Sequence, residues 1–305
     1  MTLGELPEAG SGYSGRVVVV GSVNVDTVLH LERHPTPGET VAATGTARLL
    51  GGKGANQAVS AARAGATTAL VCAIGDDQAG RDARDALAGA GVAVAGAARA
   101  SDPTGSALVM VDGAGENMIV ITPGANGLLD RDHIATAAPL VAAADVVLAS
   151  LEVPVDAVLA AFAAATGLRV LNPAPAEPVT DALLDAVDVV TPNRHELGRI
   201  AGTGPPSSVE SAVAMAEQLR RRHPNLAVVA TLGQEGAIVV APTGTTHLPA
   251  APVVVVDTTG AGDAFNGRLA AELASGAVLN EAVRAGVVYA SEVVGRAGAT
   301  GIRLR

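Results

Sequence analysis

Short apolar runs that read as strands buried on both faces recur along the chain, and most of them lead into a helical pattern. They include "RVVVVGSVNVD" (16–26), "TTALVCAIG" (67–75), "ADVVLASLEV" (144–153), "GLRVLNPAP" (167–175), "VDVVTPN" (187–193) and "LAVVATLG" (226–233). Repeated β-then-α units with strands of this kind imply a mostly parallel, doubly wound α/β sheet flanked by helices. The stretch "GGKGANQAVSAARAGA" (51–66) reads as a helix closed by Gly65, and "PVDAVLAAFAAAT" (154–166) as another. "GAIVVA" (236–241) and the valine run "VVVV" (253–256) read as late strands, the second leading to a helix over about 262–275.

Two segments interrupt the alternation. Residues 28–50 hold short alternating stretches broken by "PTPGET", and "TGSALVMVDGAGENMIVIT" (104–122) reads as a hairpin turning at "DGAGEN". Together they supply about four short antiparallel strands with no helix to cover them, a small sheet that serves as a lid or a dimer surface. One domain over 16–305 with this lid is expected, preceded by a polar, Gly-rich tail over 1–15 with no basic segment of a signal peptide.

Composition narrows the function. A formal net charge of −10 and 1% aromatic residues argue against nucleic acid, which calls for a basic face and stacking platforms. No apolar stretch approaches the ~20 residues of a membrane span. The single cysteine, Cys72, reads as a buried strand residue and suits a reducing cytosol.

The chemistry concentrates in two glycine-rich segments. In "DTTGAGDAFNG" (257–267) a helix starting at about Gly262 leaves the amides of Gly260, Ala261 and Gly262 to bind an anion, without a lysine. Asp263 reads either as a helix cap or as a base facing a substrate hydroxyl, kept ionised and weakly basic by the helix end. "LLGGKGANQAVSAARAG" (49–65) is not a Walker loop, since Gly54 follows Lys53, nor a dinucleotide fingerprint, since Gln57 stands at the third glycine. It offers Lys53 and Asn56 beside exposed amides. Asn24 and Asp26 after the first strand and Glu152 after "VVLAS" add polar groups at strand C-termini, where open α/β sheets bind ligands. His30 and His34 lie among prolines, and "HELGR" lacks the second histidine of a zinc motif, so neither suggests a metal centre.

"PTPGET", "GGKGANQAV", "GDD" (75–77), "NPAPA" (172–176), "TPN" with Glu196, and "DTTGAGDAFNG" occur in an order that resembles the PfkB carbohydrate-kinase family, and within it the ribokinase group, over residues 16–301. The resemblance implies an ATP-dependent sugar kinase acting on a terminal hydroxyl, D-ribose first among acceptors. Asp263 would be the base, with Gly260, Ala261 and Gly262 as the anion hole. Asn24, Val25, Asp26, Gly52, Lys53, Gly54, Ala55, Asn56 and Glu152 would bind sugar. Asn193, Thr231, Leu232, Gly233, Gln234, Glu235 and Gly236, with Gly262 and Asp263, would face the nucleotide. Asn193 and Glu196 would organise Mg²⁺ through waters, and Asp257, Thr259, Val293, Arg296 and Gly298 would hold an activating K⁺. A homodimer through the lid, in the cytoplasm, is also implied. The chain departs from the ribokinase group at Arg194 and His195, at Ile302 where that group supplies a serine to the cation site, and in stopping at "GATGIRLR" before a final helix. The residues leave open another furanose-like acceptor (2-deoxyribose, a ketohexose, a nucleoside), a non-catalytic sugar binder on the same fold, and an NAD-dependent dehydrogenase that would lack its fingerprint.

Overall fold

The computed structural model describes residues 15–175, 179–295 and 301–304. Its strands are β1 (Arg16–Val20), β2 (Asn24–His30), β3 (Gly45–Gly51), β4 (Thr67–Gly75), β5 (Val92–Ala100), β6 (Gly105–Val111), β7 (Asn117–Thr122), β8 (Val146–Ser150), β9 (Leu168–Asn172), β10 (Val189–Val190), β11 (Ala227–Thr231), β12 (Ala237–Ala241) and β13 (Gly244–Leu248). The helices are α1 (Lys53–Arg63), α2 (Gln78–Gly89), α3 (Arg131–Ala142), α4 (Val155–Ala164), α5 (Asp181–Asp185), α6 (Arg194–Ile200), α7 (Val209–Arg222), α8 (Ala261–Ala274) and α9 (Leu279–Val294).

The main sheet runs β13-β12-β11-β10-β9-β8-β1-β4-β5, parallel throughout except for the antiparallel β11-β12-β13 edge. The valines of β1 explain why it is apolar on both sides: Val17 and Val19 enter the core shared with α1, α8 and α9, while Val18 and Val20 enter the one on the opposite face with α3, α4 and α7. Cys72 of β4 is fully buried, and burial pushes its thiol up to about 12, so it is a packing residue. Among the described residues no helix is long and apolar enough to cross a membrane.

The second sheet runs β3-β2-β6-β7. Each hairpin is antiparallel, but the seam between them, β2 to β6, is parallel, so the expectation of four antiparallel strands holds only within each hairpin. Asn24 and Gly105, where the two strands begin, sit opposite each other although they are far apart in the sequence. The small sheet also starts earlier than residue 28, so Asn24 and Asp26 belong to β2 rather than to the end of β1. Its β3 edge is continued by the C-terminal segment, where Ile302 accepts from the Leu50 amide at 3.0 Å and Leu304 donates to Arg48 at 2.9 Å.

Two further expectations change. The valine run 253–256 is not a strand: its residues are exposed, Val254 by 83%, and the Val256 and Asp257 amides both turn to the Val294 carbonyl. The segment joins neither sheet. At the other end, Gly15 is tied into the fold through the Thr67 amide at 3.0 Å, and residues 1–14, expected to be a tail, lie outside the described residues.

Helices α1 and α8 pack backbone to backbone. A Cβ on Gly267 would meet the Gln57 carbonyl at 2.4 Å and the Ser60 Cβ at 2.4 Å, and the Ser60 hydroxyl donates to the Ala264 carbonyl at 2.8 Å. Gly267→Ala is expected to cost about 1–3 kcal/mol by overpacking. Gly89→Ala, whose Cβ would meet nothing within 4 Å, is expected to gain roughly 0.5–1 kcal/mol of helix stability. Urea unfolding midpoints check both; equal shifts would mean the two helices are not in close contact.

Candidate active site

The first turn of α8 opens the site. Gly260 caps it in the left-handed conformation, φ 74°, and aims the following turn outward. The Ala261 amide is spent on the Thr258 carbonyl at 3.2 Å, so one of the three expected donors is engaged. The amides of Gly260 and Gly262 have no acceptor among the described residues, and a Cβ on Gly262 would meet nothing within 4 Å. That pair of donors remains open to an anion.

Asp263 follows on the inner side, 6% exposed. It does not cap the helix by its side chain. Asn56 Nδ2 donates to its Oδ2 at 2.9 Å and Gln57 Nε2 to its Oδ1 at 3.0 Å, both from α1. Burial pushes the carboxyl up from the ordinary aspartate range, while Lys53 and the two amides oppose that rise and Glu152 adds to it. The expectation of a helix end that keeps Asp263 a weak base is therefore corrected, because desolvation prevails and makes it a stronger proton acceptor.

The α1 loop differs from the expectation of exposed amides. Lys53 N donates to Glu152 Oε2 at 2.9 Å, Gly54 N to Ser22 Oγ at 3.4 Å, and Ala55 N to the Ser22 carbonyl at 2.9 Å. The Ser22 hydroxyl in turn donates to Glu152 Oε2 at 2.5 Å. Glu152 and Ser22 thus close this helix start, and what the loop offers is side chains. Gly52, φ 87°, has no room for a Cβ, which would meet Asn24 N and the Ser22 carbonyl at 2.9 Å each. Burial works against the charge of Lys53, yet Asp263, Glu152 and Glu196 hold its pKa above the usual value. Val25 and Ala55 turn their side chains into the core, so neither can offer more than backbone to a ligand.

The second sheet meets the α1 loop where Asn24 of β2 pairs with Gly51 of β3. Asn126, which the sequence reading missed, fixes its base: its Oδ1 accepts from Val23 N at 2.9 Å, and its Nδ2 donates to Asn24 Oδ1 at 2.8 Å. No local pattern marks Asn126, because its partners lie 102 and 103 residues away. Asp26 has a buried Oδ1 without a partner. Burial pushes its carboxyl up to about 6, with the Ala107 amide opposing and Glu152 adding.

At the C-terminal ends of β10 and β11, Asn193 and Glu196 form a reciprocal capping box on α6. Glu196 N donates to Asn193 Oδ1 at 2.9 Å, and Asn193 N to Glu196 Oε2 at 2.8 Å. Glu196 is 8% exposed, its carboxyl raised by burial, an arrangement that a nearby cation would relieve. Thr231 pairs with Asn193, and the turn beyond it exposes Gly233 and Gln234 while Leu232 enters the core. Glu235 is occupied by Arg194, which also donates to the Pro206 carbonyl at 2.7 Å. Arg194 thereby fastens this turn to α6. Gly236, φ 85°, closes the turn with its amide on the Gly233 carbonyl at 2.9 Å.

Asp257 Oδ1 accepts from Thr259 N at 2.8 Å, and the loop is held to the end of α9, near Val293, by the Val294 carbonyl. Asp257, Thr259 and Val293 belong to the set expected for a monovalent cation. Of that expected set, Arg296 and Gly298 lie outside the described residues. Among the described residues no cluster of His, Cys, Asp and Glu has metal-binding geometry by itself.

The chain is similar to known proteins along most of its length. It is 36% identical over 263 residues to the bifunctional ribokinase/ribose-5-phosphate isomerase A of Fructilactobacillus sanfranciscensis, covering 85% of this chain and 48% of that protein, so it spans about half of that relative's length. It is 35% identical to the ribokinase of Haemophilus influenzae, covering 93% of each. Among solved structures, the Arabidopsis thaliana ribokinase complexed with ribose and ATP superposes with a TM-score of 0.81 and 31% identity, covering 94% of this chain and 95% of that one. The model of the pfkB family of carbohydrate kinases matches residues 14–303. With a match over nearly its whole length, the chain belongs to the pfkB family of carbohydrate kinases.

Proposed function

We propose that this chain transfers the γ-phosphoryl group of ATP to the terminal hydroxyl of D-ribose, giving ribose 5-phosphate and ADP. The observation that carries the reading is the pairing at the start of α8: two open amides, and one residue on a buried carboxylate gripped at both oxygens. The named relatives, and the solved one bound to ribose and ATP, supply the substrates.

In this reading Asp263 accepts the proton of the sugar hydroxyl as its oxygen attacks phosphorus; the bond to the β-phosphate oxygen breaks, and ADP leaves with that electron pair. The amides of Gly260 and Gly262, with Lys53, lie where charge builds on the transferring group. Asn24, Asp26, Lys53 and Asn56 hold the sugar; Gly52 and Gly54 let the α1 loop pack against the Ser22 backbone. Asn193 and Thr231 to Gly236 line the nucleotide. Mg²⁺, when bound, neutralises the phosphates; Asn193 and the Glu196 oxygen outside the capping box would hold it through waters. Asp257, Thr259 and Val293 would contribute to a K⁺ site. The small sheet acts as a lid that excludes water.

The lid also supports a homodimer. Every residue of β7 is exposed; Ile119 and Ile121 are 52% and 58% exposed and share a sheet face with Asp26 through their pairing with Val109 and Ala107. A second copy laid on this face would cover that apolar strip. A reducing cytosol suits the buried thiol of Cys72.

ADP release measured over a panel of pentoses, hexoses and nucleosides tests the assignment; ribose should be the best acceptor, and turnover absent with every sugar would refute it. Asp263→Asn should leave calorimetric ribose and ATP binding near parent values while lowering kcat by at least ~100-fold. Ribose affinity should rise with pH through about 6, as Asp26 ionises and can accept sugar hydroxyls, and then level off. Identical affinities at pH 5 and 7.5 would remove Asp26 from the pocket. Ile119→Glu with Ile121→Glu should yield a monomer by light scattering with a raised ribose KM; an unchanged dimer would place the interface elsewhere.

A further inference from the structure

The carbonyl of Thr191, just past β10, can only accept hydrogen bonds. Asn172 Nδ2, at the end of β9, faces it at 3.3 Å, which turns the Asn172 oxygen the other way. That oxygen accepts from Gln57 Nε2 at 3.0 Å, and the same nitrogen donates to Asp263 Oδ1 at 3.0 Å. Both amide hydrogens of Gln57 are thereby used, and its own Oε1 is left buried without a partner. Turning the amide over would set that oxygen against both the Asp263 carboxylate and the Asn172 oxygen. A backbone carbonyl thus decides, through two side chains, that Asp263 meets a donor. Thr191 has a second arm: its hydroxyl donates to Asn266 Oδ1 at 2.5 Å, and Asn266 Nδ2 donates to the Gly262 carbonyl at 2.8 Å in the first turn of α8.

Gln57 is wholly buried, out of a substrate's reach, and the Asn172 amide is engaged at both its nitrogen and its oxygen. The partners of the Gln57 side chain are Asn172 and the Asp263 carboxylate, and both are met by its nitrogen alone. A buried amide kept in such company, with its oxygen unpaired, calls for a role other than packing.

We propose that Gln57 and Asn172 are positioning residues for phosphoryl transfer: Gln57 occupies the inner side of Asp263 Oδ1 and leaves the carboxylate's cleft side to take the sugar's proton, while Asn172 sets which way the Gln57 amide points. The inference rests on Asp263 being the base. Donation from Gln57 favours the carboxylate form, against the burial that opposes it. The other groups bearing on Asp263 are Lys53 and Asn56 of α1, Glu152 past β8 and Glu196 of α6.

The test is the pH profile of kcat/KM for ribose in Gln57→Met, Asn172→Ala and the double variant, read beside Asp263→Asn. Gln57→Met should lower kcat about 10-fold, keep the ribose KM within roughly threefold, and move the acidic limb to higher pH. Asn172→Ala should shift the limb the same way by a smaller amount. The double variant should be no worse than Gln57→Met beyond about twofold, because one relay is broken either way. An acidic limb that stays in place, or losses that multiply in the double variant, would overturn the relay while leaving Asp263 as the base. A fully active Asp263→Asn would instead remove the base and the relay together. Should Gln57→Met not fold, Asn172→Ala decides alone, since it keeps Gln57 and removes only what orients it.

Discussion

Everything at the site depends on how closely α1 and α8 approach. A glycine at 267 lets the Gln57 carbonyl and Ser60 of α1 lie against the α8 backbone, and only at that separation do two consecutive residues of α1 reach both oxygens of one carboxylate on α8. The same contact buries Asp263 and raises its affinity for a proton, so packing and basicity have one origin.

Charge is arranged economically around that contact. Asp26, Glu196 and Asp263 are all pushed up by burial, and Lys53 lies within electrostatic reach of Asp263, Glu152 and Glu196. One cation therefore tempers carboxylates from the end of β8, from α6 and from α8. The two glycine-rich helix starts divide the labour. That of α1 is closed by Ser22 and Glu152 and presents side chains, while that of α8 keeps two amides open.

This division could not be read from composition of the motifs, which are glycine-rich alike. The sequence made the sheet legible, because the β1 valines feed two cores and no single-sided pattern would, and it made Asp263 legible through the glycines ahead of it. What it hid was decided by distant partners. Glu152 reaches the Lys53 amide across 99 residues and Gln57 reaches Asp263 across 206. The valines at 253–256 have every local mark of a strand, yet they join neither sheet and remain exposed. The seam of the small sheet is parallel for a similar reason: hairpin patterns fix pairing inside each hairpin but say nothing of which strands meet between them.

The most direct measurement is a crystal structure of the chain with ribose and a non-hydrolysable ATP analogue. The account predicts the terminal hydroxyl at roughly 2.6–3.2 Å from an Asp263 oxygen, with the Asn56 and Gln57 bonds to that carboxylate intact and a phosphate oxygen on the Gly260 and Gly262 amides. A hydroxyl directed to another residue, or a carboxylate that lets go of Asn56 and Gln57 to reach it, would contradict the account.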